Sequence, residues 1–348
     1  MGKQRRGKAE QLLENSVAFL HAKLPDSCTA PMRLDKYIAS LPDGMNRSKL
    51  KAGVHEILIN GKRGKLSSKV AAGDEIDIEW EDNIPDDIAP ENIALRIIYE
   101  DDDVLVIDKQ QGMVTHPACG NWSGTLVNAL LYHVHADAIP LEKHAPQSEM
   151  LASRRPGIVH RLDKDTSGVL IAAKHRDAET WLGAQFKERC VQKEYIAIVQ
   201  GKPPALAGDI RTQIIRDPKN RKRFKAATQT DDGKFARTLY HCIASYGNYS
   251  LMRVRLKTGR THQIRVHMKY IGCPVLGDVI YGKRDELFPD ATLMLHAKKL
   301  VLRLPNKTAF TTFRSRTPAR FKAVTGELRK RYERTVMTWG KNHAKKKR

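Results

Sequence analysis

The sequence predicts an α+β fold in two domains, and three features of the chain predict it. Residues 31–81 hold two short helical patterns followed by a hairpin and an alternating strand. From residue 95 onward, strand-length apolar runs are interrupted by a few helical periodicities. Between these regions, residues 82–94 carry Pro85, Pro90 and several acids with no period, which reads as an exposed linker. A chain of 348 residues is long enough to bury two cores and still leave tails.

Residues 1–30 are basic and polar apart from Val17 to Leu20, and are expected to form an arm or a poorly docked helix. In the first domain, residues 31–81, Leu34, Tyr37 and Ile38 recur at helical spacing. Asn46 or Ser48 can start a second helix, with Arg47, Lys49 and Lys51 on its exposed side. Ile57-Leu58-Ile59 before Asn60-Gly61 signals a hairpin, and Ile76, Ile78 and Trp80 alternate after Gly73-Asp74.

The second domain is expected over residues 95–326. Ile97 to Tyr99 and Val104 to Ile107 read as strands, Thr125 to His133 as a helix, and residues 134–156 as a loop. Ala178 to Arg189 reads as a helix that buries Trp181, Leu182 and Phe186, and Lys193 to Val199 as a strand. KNRKRFK (219–225) groups five bases around Phe224 and reads as a phosphate-contacting loop. Strands follow at 236–243 and 250–256, whereas 260–268 fits either a strand or a short helix. Thr317 and Pro318 start a helix with Phe321, Val324, Leu328, Tyr332, Val336 and Trp339 on one apolar stripe and Arg320, Lys322, Arg329, Lys330 and Arg331 opposite. Docking on the domain is the commoner fate of such a stripe than binding a membrane. Residues 327–348 are the end of this helix and a basic tail.

Composition narrows the function. The net charge of +22 asks for a polyanion, and nucleic acid fits best, because no stretch approaches the roughly 18–20 apolar residues of a membrane span. The charge is segregated: residues 74–103 hold thirteen acids against one Arg, and residues 307–348 hold fourteen bases against two acids. Five widely spaced cysteines suit a reducing cytoplasm better than a disulfide framework. No H-E-x-x-H or P-C-x-x-C pattern is present, so no catalytic metal is expected. A monomer is expected.

The densest chemistry lies in GIVHRLDKDTSG, Gly157 to Gly168. Ile158 and Val159 read as a buried strand end, Thr166-Ser167-Gly168 as a turn, and Val169 to Ala173 as the next buried strand. Asp163 therefore sits on a tight loop between strands, flanked by Arg161 and Lys164. Asp165, two residues on, should point the other way, which argues against a facing pair of glycosidase carboxylates. His160, His262 and His267 lack the second element of a triad and are read as structural or RNA-contacting.

HRLDKDTSG (160–168) closely resembles the signature of the RluA family of pseudouridine synthases. The resemblance extends in order through IIYEDDDVLVIDK with THP (97–117), TLVNALLYH (125–133), KEYIAIVQG (193–201), LKTGRTHQIRVHM (256–268), GCPVLGDVIYG (272–282) and LHAKKLVL (295–302). Gln110 departs from the proline that the family usually places after the lysine. RLDKYIASL, NRSKL, ILINGK and VAAGDEIDI, within residues 31–81, resemble the S-four RNA-binding domain.

These resemblances imply a mixed, largely antiparallel sheet with a central cleft, and isomerisation of uridine to pseudouridine without a cofactor. Asp163 matches the family's catalytic aspartate, which either adds to the substrate or removes a ribose proton. Arg161 matches the residue that fills the gap left by a flipped-out uridine. Tyr195 matches the tyrosine packed against the target base, although a plain core tyrosine would fit the same strand. Arg265 matches the arginine paired with the aspartate. Arg47, Lys49, Lys51, Lys62 and Arg63 are the implied RNA contacts of the first domain. Large-subunit ribosomal RNA is the expected substrate and transfer RNA the second choice. The different class is a ribosome-assembly protein that binds RNA without catalysis.

Overall fold

The computed structural model describes residues 17–26, 30–41, 54–81, 87–117, 121–135, 139–140, 157–218, 220, 223–228 and 233–332. It divides into two compact units, one of residues 1–88 with 118–122 and 139–154, the other of the remainder.

In the smaller unit, β1 (Val17–Lys23) pairs antiparallel with β6 (Glu75–Glu81), which also pairs with β3 (Val54–Ile59), and β3 continues to β4 (Lys62–Arg63). Asn60 and Gly61 both take positive φ, as the β3–β4 turn predicted for Asn-Gly requires. The helix α1 (Leu34–Ser40) buries Leu34, Tyr37 and Ile38 with Ile57, Ile76 and Ile78. The arm expected over residues 1–30 is corrected in part. Val17–Lys23 is a full strand because β6 offers it seven consecutive partners, and Leu24 enters the core behind it. The second helix expected near residues 46–51 lies outside the described residues.

The linker is corrected too. Asp87–Ile88 (β7) pairs with Ile139–Pro140 (β10), and Ile88 is buried. In the larger unit, Ala89 accepts from the Asn128 side chain and the Glu91 N–H donates to the Asn128 carbonyl, so the backbone there is anchored although Ala89, Asn92 and Ala94 remain exposed.

The larger unit is built on one ten-stranded sheet. Its path is β14 (Phe224–Ala227), β13 (Ala207–Arg216), β15 (Lys234–Tyr246), β16 (Tyr249–Leu256), β12 (Gln192–Gln200), β17 (Leu295–Arg303), β11 (Ser167–Ala173), β9 (Val104–Lys109) and β8 (Ile97–Glu100), with β18 (Phe310–Arg314) also paired to β17. The β11–β17 pair is parallel and the other pairs are antiparallel, which is the mixed sheet expected. Helices α2 (Leu126–His133), α3 (Arg176–Lys187), α4 (Gln263–Tyr270) and α5 (Ala319–Arg331) complete it. Among the described residues, no helix is long and apolar enough to cross a membrane.

Several expectations shift. The ambiguous segment 260–268 becomes a turn followed by α4. Phe224 and Lys225 belong to β14 rather than to a loop, because their backbone pairs with Arg216 and Ile215. In α3, Leu182 is buried but Trp181 stays 43% exposed, its indole N–H on the Arg303 carbonyl. In α5, Phe321, Val324 and Leu328 are buried as the stripe required, and the helix ends at Arg331. Thr317 does not cap it, since its hydroxyl accepts from Lys298 instead. Arg320, expected on the exposed side, turns inward to donate to Ser167 Oγ at 2.6 Å.

Candidate active site

The loop from Gly157 to Gly168 is fixed at both ends by glycines that no other residue could replace without strain. Gly157 has φ +69 and Gly168 φ +121, and a Cβ on either would come within 2.2 Å of a backbone oxygen, that of Ala173 or Ala297. Between them the carbonyls are tied down one by one. Leu162 accepts from Thr115 Oγ1 at 2.7 Å, Asp163 from the Thr166 N–H, Lys164 from the Gly112 N–H and Lys109 Nζ, and Asp165 from Gln111 Nε2. The turn that carries Gln110 therefore still grips the loop, through the residues on either side of it.

With its backbone held, Asp163 projects from the loop with 19% of its side chain exposed. Sheet register supplies Tyr195: it lies across β17 from Gly168, both opposite Ala297, so two residues 27 positions apart share one row of the sheet. Tyr195 is buried, and burial together with the Asp163 charge pushes its phenol well above its ordinary pKa, so it stays protonated.

Arg265, from the first turn of α4, reaches Asp163 only at 3.7 Å. Its close partner is Asp278, which takes Nε and Nη2 in a two-point bond at 2.7 Å each and also accepts the N–H groups of Ile280 and Tyr281. The expected Arg265–Asp163 pair is present but loose: Arg265 is clamped from behind by Asp278 and shows one nitrogen, Nη1, to Asp163. Burial works against ionisation of Asp278, but the bonds and charge of Arg265 outweigh it and hold the carboxyl below its usual range.

Arg161 is exposed, with Nη1 3.2 Å from His116 Nε2. His262 approaches the same carboxylate oxygen of Asp163 as Arg265 does, Nε2 to Oδ2 at 3.9 Å. Lys109, 1% exposed, puts its ammonium on the Gln110, Met113 and Lys164 carbonyls, and burial lowers its pKa to about 8. His160 accepts the Ile171 N–H on Nε2 and stacks on Phe186, and burial pushes its pKa down to about 3. That ring is a neutral brace, in keeping with its structural reading. His267 likewise sits between Thr238 and Thr212.

Arg161, Asp163, Tyr195, His262 and Arg265 line a cleft of about 460 Å³, with Lys187, Arg189, Lys193, Lys257 and Arg260 also on its walls. A single carboxylate faces a buried tyrosine and a braced arginine inside a cationic rim. Such a pocket can act on an uncharged ring while holding phosphates around it.

Residues 103–270 match the family model described as RNA pseudouridylate synthase. A ribosomal large subunit pseudouridine synthase D of Borreliella burgdorferi is 43% identical over 296 residues, covering 83% of this chain and 87% of the relative. The chain belongs to the RluA family of RNA pseudouridine synthases. A synthase D of Zymomonas mobilis is 40% identical over 72% of this chain and 77% of its own. The solved structure of human RNA Pseudouridylate Synthase Domain Containing 4 shares the fold, with a TM-score of 0.52 at 23% identity over 67% of this chain and 93% of that one.

This synthase is thus an isomerase that converts uridine to pseudouridine. Of its predicted site residues, the structure brings Arg161, Asp163, Tyr195 and Arg265 into one cleft. Lys62 and Arg63 lie on the exposed β4, Arg63 beside Glu56, whereas Arg47, Lys49 and Lys51 lie outside the described residues. Sequence reasoning gave no role to Asp278, His116 or Tyr281, although all three fall in the segments that carry the family resemblance.

Proposed function

We propose that the protein modifies uridines of large-subunit ribosomal RNA with Asp163 as its catalytic carboxylate, acting on a nucleotide flipped out of the RNA. The observation that carries the reading is Asp163 itself, a carboxylate on a backbone-locked loop facing Tyr195 and Arg265 inside a cationic cleft. Supporting it, relatives from Borreliella burgdorferi, Zymomonas mobilis and Neisseria meningitidis are named ribosomal large subunit pseudouridine synthase D.

The reaction breaks the bond from ribose C1′ to uracil N1 and forms one from C1′ to C5. N1 gains a proton and C5 loses one, so nothing else is consumed. Asp163 begins it by adding to the substrate or by taking a ribose proton. Tyr195, kept neutral, packs against the uracil. Arg265 faces the carboxylate, and Arg161 enters the stack in place of the extruded base, a task suited to a planar guanidinium. Lys62 and Arg63, with Arg47, Lys49 and Lys51, hold the RNA backbone at the smaller unit.

Mapping pseudouridines in total RNA from cells lacking the protein tests the substrate. Loss of modification at large-subunit ribosomal sites is expected. Loss confined to transfer RNA would overturn the assignment.

A further inference from the structure

His262 lies 3.9 Å from Asp163 and Tyr281 is bonded to its ring, and the reaction as described uses neither. His262 has φ +56 at the N-terminal boundary of α4, one of five described non-glycine residues with positive φ. Such a backbone persists only where surroundings enforce it, and it aims the imidazole at the cleft. The ring is wedged edge-on between Tyr281 and Phe224, with centroids at 5.5 and 5.8 Å.

The hydrogen bonds around it fix more than its position. The Phe224 N–H donates to Tyr281 Oη at 2.9 Å, so the phenolic proton is left for the hydroxyl's other contact, His262 Nδ1, also at 2.9 Å. An imidazole that accepts on Nδ1 carries its proton on Nε2, and that nitrogen faces Asp163 Oδ2 at 3.9 Å. His267 offers a contrast, because both its nitrogens meet threonine hydroxyls in the interior. His262 turns one nitrogen inward and keeps the other on the cleft.

We infer that Tyr281 is a positioning residue that holds His262 in its Nε2–H form, and that His262 donates this hydrogen bond to Asp163 when RNA fills the cleft. Catalytic hydrogen bonds that are long in a free enzyme commonly tighten in the complex. Burial also keeps the ring neutral by lowering its pKa, against the pull of the Asp163 charge. The inference rests on Asp163 being the catalytic carboxylate.

The test uses the full chain and RNA transcribed with uridine tritiated at C5, with release of tritium as the readout. His262→Ala is expected to lower kcat about 100-fold. His262→Gln restores part of it, because its amide carries an N–H near the same place. Tyr281→Phe, which removes one oxygen, lowers kcat about tenfold with KM unchanged. Nitrogen-15 NMR of the histidine rings supplies a readout that needs no variant to be active: wild-type His262 is protonated on Nε2, and Tyr281→Phe mixes the two tautomers. Protonation of wild-type His262 on Nδ1, or wild-type kcat in both His262→Ala and Tyr281→Phe, would overturn the inference. Asp163→Asn run alongside separates the two levels. An active Asp163→Asn removes the reading underneath, whereas an inactive one beside a fully active His262→Ala removes this inference alone.

Discussion

Ion pairs in the smaller unit lie mainly at the surface, His21 with Asp77, Lys23 with Glu75 and Arg63 with Glu56, while the larger unit takes Lys109, Arg265 and Asp278 inside, each under 5% exposed. Asp35 is the described exception in the smaller unit, buried under Arg33. Exposed pairs add little stability, and their cations can exchange a carboxylate for a phosphate at small cost. A buried pair must offset a large desolvation cost, so it adds little net stability over well-packed apolar residues, and its value lies in the geometry that it fixes. In this synthase Lys109 and Arg265 reach the Asp163 loop, with Asp278 behind Arg265, and under the proposed function the difference separates groups assigned to RNA from groups assigned to the reaction.

The sharpest way to break that distinction is to remove one partner of the buried pair. Asp278→Ala leaves Arg265 buried with only the loose Asp163 contact, and urea denaturation should show a loss of about 3 kcal/mol. Replacing both, as Arg265→Met with Asp278→Leu, should recover most of the stability and none of the activity. A double variant that isomerises uridine would place the pair among structural features.

Acid titration probes the same interior. His267 and His296 are buried, and burial holds their pKa values at about 4 and about 3, with His160 also at about 3. A depressed folded pKa leaves stability unaffected above the unfolded value near 6.5; as pH falls below it, the unfolded chain takes up protons that the folded one refuses. Denaturation midpoints should therefore fall between pH 6.5 and about 4, with His267 alone contributing about 3 kcal/mol by the lower end. His267→Gln should flatten the slope by one proton over that window.

The smallest effects on folding belong to the surface. Lys62→Ala and Arg63→Ala should leave the thermal midpoint unchanged while each lowers the salt slope of RNA binding by about one. An unchanged slope would show that β4 makes no phosphate contact.

Much of this was legible in the sequence. Glycines closing both ends of a loop that contains Asp163, followed by the run Val169 to Ala173, point to a loop that feeds a strand, and the family resemblance supplied Tyr195 and Arg265 from distant segments; the strand end expected at Ile158 and Val159 is not formed, because those residues belong to the loop itself. Register could not be read, because Gly168 and Tyr195 meet only through Ala297 on a third strand. Asp278 looks like any acid after a glycine until the fold puts it behind Arg265. The strand Val17–Lys23 was missed because the partner that makes it a strand lies some sixty residues later. Trp181 shows the limit of periodicity, which gives a face and not its burial.

Whether Asp163, held by a backbone with its carbonyls tied down, starts the isomerisation is decided by Asp163→Asn, with tritium release from C5-labelled large-subunit ribosomal RNA and RNA affinity measured on the same preparation. Complete loss of release with affinity close to wild type is the predicted result. Release at any rate near wild type would contradict it.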